Sequence, residues 1–80
     1  MLYPKIKSAK VVSNNTLLVS FSNNQTKKYN IQKLLDNPNF FPLKNRAFFK
    51  NFQIDSFGNG IIWNDEIDIS EYEIWINGVD

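Results

Sequence analysis

Between Gly60 and Trp75 the chain reads GIIWNDEIDISEYEIW and gathers five carboxylates: Asp65, Glu66, Asp68, Glu71 and Glu73. Carboxylates at this density can do three kinds of chemistry. They can ligate a hard cation, share a proton as an acid–base pair, or hold backbone N–H groups at a turn and a helix start. A calcium loop needs oxygen ligands at positions 1, 3, 5 and 12 with a glycine at 6, and no window here has that order. Asp65 and Glu66 fall in the turn that follows Trp63. Asp68 alternates with Ile67 and Ile69, which points it away from an apolar face. Ser70 and Glu73 have the S-x-x-E spacing of a capping box, and Glu71 and Glu73 occupy the first helical turn, where negative charge is favoured. The residue types therefore favour a corner built from Trp63, Asp68, Ser70 and Glu73, with no catalytic, cofactor or metal residue assigned. The competing reading is a small carboxylate-dependent enzyme or metal site using Asp65, Glu66 and Asp68.

The remaining chemistry is sparse. The chain has no cysteine and no histidine, which removes disulfides, thiolate sites, the commonest zinc ligand and any histidine-activated serine. The GNG at 58–60 lacks the third glycine and following helix of a dinucleotide loop. The expectation is a protein that is not an enzyme.

Eighty residues make one domain, 1–80, with a thin core that must draw on its seven Phe, three Tyr and two Trp. The N-terminal MLYPKIKSAKVV has no continuous apolar run, and no window reaches a membrane span. The lack of cysteine fits a reducing compartment, and the abundance of Asn, Lys, Ile and Phe fits an AT-rich bacterial genome, so a cytoplasmic, non-membrane bacterial protein is expected. Charge is unevenly laid out. Residues 1–50 hold all nine Lys and Arg and one acid, Asp36, whereas residues 51–80 hold seven acids and no base. Either the halves neutralise each other on folding, or a basic face meets an acidic partner or nucleic acid.

The elements that must position these groups follow from periodicity. PKIKSAKVV, TLLVSF and TKKYNI, separated by turns at Asn14–Asn15 and Ser22–Gln25, read as an antiparallel meander. Asn tolerates the positive φ that such turns demand. Asn30 caps a short helix, IQKLLD, stopped by Asn37-Pro38. The next segment is too interrupted by proline for a full helix before Leu43, and KNRAFF makes one or two turns. NFQID, IIW and IDI are short strands, and a last helix carries Tyr72, Trp75 and Ile76 as the stripe that closes over the sheet, with Gly78 at its end. The fold class is α+β: antiparallel meander, short helix, β-hairpin and a short C-terminal helix packed on the sheet.

Read in order, LLVSFSNNQTKKYNI, then FFPLKNRAFFKNFQI with its F-x-x-L…F spacing, then WNDEIDIS resemble a bacterial family known as domain of unknown function 2442, whose last block is W-P-x-G-x-D-[IL]-[SA]. The resemblance covers nearly the whole chain. It departs at Asn64 for Pro, Glu66 for Gly, Asn24 for a turn Gly and Asn30 for Asp; a positive φ at residue 66 would cost Glu about 1 kcal/mol or more. The resemblance implies an α+β domain without established catalysis, of a kind found beside other short genes in arrangements reminiscent of toxin–antitoxin pairs. The favoured function is a protein-interaction module for another small protein, met through a sheet edge or the face bearing Phe40 and Phe41, with Phe40, Phe41, Lys27, Lys28, Lys44 and Arg46 as contact candidates and self-association through such an edge as a variant of it. Nucleic-acid binding through Lys5, Lys7, Lys27, Lys28, Lys44, Arg46 and Lys50 is the alternative.

Overall fold

A computed structural model describes residues 3–80; Met1 and Leu2, where the reading of the N-terminus begins, lie outside it. Strands β1 (Ile6–Ser13), β2 (Thr16–Phe21) and β3 (Thr26–Asn30) form one antiparallel sheet in the order β1-β2-β3. β4 (Gln53–Ile54), β5 (Gly60–Ile62) and β6 (Asp68–Ser70) form a second, also antiparallel. Two 3-10 helices (Ile31–Asp36 and Pro38–Lys44) and helix α1 (Arg46–Lys50) connect the sheets, and helix α2 (Glu71–Asn77) follows β6. The architecture is α+β.

The period-two pattern of β2 puts Leu17, Val19 and Phe21 on the buried face, all at 0% exposure. On β1 the step from Ile6 to Ala9 is three residues, which a simple strand cannot absorb. A bulge between Ile6 and Ser8 takes up the extra residue, so both side chains face the core. A second irregularity between Val11 and Ser13 adjoins the Asn14–Asn15 turn. That turn needs no positive φ: among the described residues only Asn24 (φ 68°) and Gly58 (φ 73°) adopt one.

Asparagine punctuates the connecting region. The side chains of Asn30, Asn37 and Asn45 accept from the N–H groups of Gln32, Asn39 and Phe48, each at the start of the next helical segment. The segment IQKLLD winds as a 3-10 helix with Ile31 buried. The stretch read as too interrupted by proline for a full helix before Leu43 is a second 3-10 helix that contains Pro42. Pro38 sits in its first turn, where a missing N–H costs nothing.

The core is one cluster that joins both sheets: Leu17, Val19, Phe21, Ile31, Leu43, Phe49, Ile61 and Ile74 are its fully enclosed members. Each such side chain contributes about 1.5–3 kcal/mol by leaving water. On α2 the structure corrects the expected stripe. Ile74 is the residue at 0% exposure, Trp75 is half-buried, and Tyr72 and Ile76 are about half exposed at 48% and 52%. The helix is only seven residues long, and Ser70, at the end of β6, fixes its entry so that Ile74 points at the sheet. Trp75 lies beside it with its ring edge-on to Phe21 at 5.2 Å. No helix of the described residues is long and apolar enough to cross a membrane.

Candidate functional site

Trp63 is the pivot of the acidic corner. Its ring stacks on Phe49 at 6.2 Å and meets Phe52 edge-on at 5.9 Å. Its indole N–H donates to the Phe49 carbonyl at 2.8 Å, so the polar atom of a buried side chain is satisfied. The turn after it is built by Asn64, whose Oδ1 accepts from the N–H groups of Glu66 (2.8 Å) and Ile67 (2.9 Å). The Trp63 N–H donates to the Ile67 carbonyl at 2.9 Å and closes the hairpin. Ile67 and Ile69 are buried, and Asp65, Glu66 and Asp68 face solvent on the other side.

The carboxylates do not converge. No group of three or more metal-ligating side chains occurs among the described residues. Ser70 Oγ accepts the Glu73 N–H at 3.1 Å, which is one half of the expected capping box. The other half is absent, and the Glu73 side chain is used elsewhere: its Oε2 accepts the Tyr29 hydroxyl at 2.8 Å. Burial, reinforced by that bond to Glu73, pushes the Tyr29 phenol above its ordinary range. Glu71 meets Lys5 at 3.4 Å, and the same ammonium reaches Asn59 Oδ1 at 2.5 Å.

One carboxylate that sequence reasoning passed over lies near this corner. Asp55 and Asp68 both line a shallow hollow of about 140 Å³ with Asn59, Gly60, Ile62, Ile69 and Ser70. Asp55 Oδ2 accepts from the N–H groups of Phe57 (2.9 Å) and Asn59 (3.2 Å), so it closes the Gly58 turn. The signal was readable: an Asp two residues before Phe57 and three before a glycine is an Asx-turn start.

The contact candidates do not form one patch. Lys44 holds its ammonium 3.9 Å above the exposed Phe41 ring. Phe40 packs partly against the core. Arg46 bonds to Asn14 in the first hairpin turn. Lys27 and Lys28 point to opposite faces of β3: Lys27 lies 4.7 Å over Trp75 and pairs with Asp80 at 3.1 Å, whereas Lys28 is exposed. The basic and acidic halves thus meet through Lys5–Glu71 and Lys27–Asp80, partly exposed pairs of modest worth.

Residues 6–78 match the model of a family described as a protein of unknown function, DUF2442. The chain belongs to that family. No curated protein and no solved structure matches it. The departures of this DUF2442 chain from the family pattern now have physical readings. Asn24, where a turn glycine is usual, takes the left-handed conformation itself. Asn30 caps as an aspartate does. Glu66 has no positive φ, so the strain that a positive φ would bring there is not incurred; Asn64, in the position where the resemblance has proline, supplies the turn's hydrogen bonds.

Proposed function

We propose that this DUF2442 chain is a non-catalytic interaction module that binds another small protein, with a protein encoded beside it as the first candidate. The observation that carries this reading is apolar surface left outside the core. Phe57 is 77% exposed and Val79 63%. On α2, Tyr72 and Ile76 stand one turn apart, and the ring of Tyr3 meets Tyr72 edge-on at 4.8 Å. Aromatic and aliphatic side chains grouped on one helix face are the kind of surface a partner covers. Gentle purification of the tagged protein from its host should bring down a second protein in stoichiometric amount, and Ile76→Asp should release it. A clean monomer from the same preparation would argue strongly against the module.

A second reading is favoured by a different observation. No acid occurs before Asp36, and on the solvent face of the first sheet Lys10 and Lys28 flank Leu18 in register. Such a face attracts the phosphate backbone of a nucleic acid electrostatically. Its affinity should fall steeply with salt, and a mobility-shift series blank even at low salt removes it.

A further inference from the structure

The two edges of the first sheet are unlike. At β3, Lys28 and Val79 exchange both backbone hydrogen bonds, at 2.7 and 2.9 Å, and that edge is closed there. At β1 the outward groups can be identified from the ladder. The Phe21 N–H donates to Gln25 and the Ile31 N–H to Asn15, so Leu17, Val19 and Phe21 direct their backbone groups toward β3. Leu18 and Ser20 therefore bond to their partners Lys10 and Ser8 on β1. The groups of Ala9 and Val11, between and beyond those partners, face outward. The Ile6 N–H also faces outward and is taken by the Gly58 carbonyl at 2.9 Å. No backbone group among the described residues bonds to the outward N–H and C=O of Ala9 or Val11.

We propose that the outer edge of β1, at Ala9 and Val11, is a docking edge for an acidic extended segment of the partner protein, added as a fourth strand. The inference rests on the interaction-module reading and names the chemistry of the partner. Charge selects it. Lys10 lies on this strand between Ala9 and Val11 and is exposed, whereas Lys5 and Lys7 are already engaged by Glu71 and Asn24; the whole meander contains no acid. A partner strand with Asp or Glu at alternate positions sets a carboxylate beside the Lys10 ammonium while its main chain takes the four free backbone groups. A second copy of this chain is the poorer occupant, because β1 against β1 lays lysine beside lysine.

The test is a titration of the full, isotopically labelled chain with a synthetic peptide of alternating Glu and Val, followed by amide NMR. Two controls accompany it: the same peptide N-methylated at alternate residues, and a Lys–Val peptide. The Glu–Val peptide should shift the amides of Ala9 and Val11 and slow their hydrogen exchange, while both controls leave that exchange unchanged. Val11→Pro removes one outward N–H at a position where an edge strand tolerates proline, and should weaken binding about fivefold. Lys10→Glu should weaken it further and favour the Lys–Val peptide. Equal binding of the N-methylated peptide reduces the effect to ionic attraction and overturns the proposal, independently of whether Val11→Pro folds. Shifts confined to residues outside β1 overturn it too. A cellular partner captured equally by the wild type and by folded Val11→Pro removes the edge and leaves the module reading standing. Protection at Ala9 and Val11 with no protein captured from the host does the reverse.

Discussion

The Tyr29 hydroxyl donates to Glu73 at 2.8 Å and ties the third strand to a helix 44 residues further along the chain. That bond explains why the capping box is half-made. Glu73 can return its carboxylate to the Ser70 N–H or accept a phenol already buried beside it, and the buried donor is the costlier one to leave unpaired.

Tyr29→Phe should therefore lower stability by about 1 kcal/mol, read from urea unfolding at neutral pH. It should also alter the pH dependence. The phenol is raised above its ordinary value of 10.0 by burial and by Glu73, so the folded state keeps a proton that the unfolded state releases. This contribution is complete below about pH 10 and is lost as pH rises toward the folded-state value. The wild type should lose stability on going from about pH 9 to 11 faster than Tyr29→Phe does. Parallel curves would contradict this assignment.

Ser70→Ala removes the acceptor for the Glu73 N–H and should cost about 1 kcal/mol. Ser70→Asp keeps an acceptor and adds charge at the favourable helix end, so its urea midpoint should stay near that of the wild type.

Gly58→Ala should be the harshest of the small changes. The residue has φ 73°, and an added Cβ would lie 2.7 Å from the Ile6 carbonyl and 2.8 Å from the Lys5 Cβ. Both are fixed by the turn's contact with β1, so a loss of about 2 kcal/mol or more is expected in thermal or urea melts.

Restoring the family glycine at residue 66 should bring no gain. Glu66 has ordinary φ, and glycine adds unfolded-state freedom, so Glu66→Gly should be destabilising by about 0.5–1 kcal/mol. Asn64→Ala deletes the acceptor for two N–H groups and should cost about 1 kcal/mol or more in the same assay.

The meander was legible because Leu17, Val19 and Phe21 alternate without interruption and the turns consist of asparagine and serine. The caps at Asn30 and Ser70 were legible for the same local reason: a short polar acceptor precedes an apolar helical run. What local reasoning missed depended on long-range contact. Ile74, and not Tyr72 or Ile76, enters the core because the sheet selects one face of a seven-residue helix that periodicity alone leaves undecided. The proline-containing 3-10 helix went unread because proline was weighed as a breaker, although Asn37 and Asn45 mark its two ends. At the candidate site, Glu73 reads as a capping partner from spacing, yet its side chain belongs to Tyr29, which no local pattern reveals. Lys27 reads as a free cation, but Trp75 and Asp80 hold it.

The cover over Phe21 comes from Ile74 and Trp75, which lie far downstream of it. During synthesis Phe21 is made before Ile74 and Trp75, so a chain that has not yet received them holds its meander with this apolar face incompletely covered. A chain interrupted before Ile74 keeps that face exposed, the kind of surface that chaperones and proteases act on.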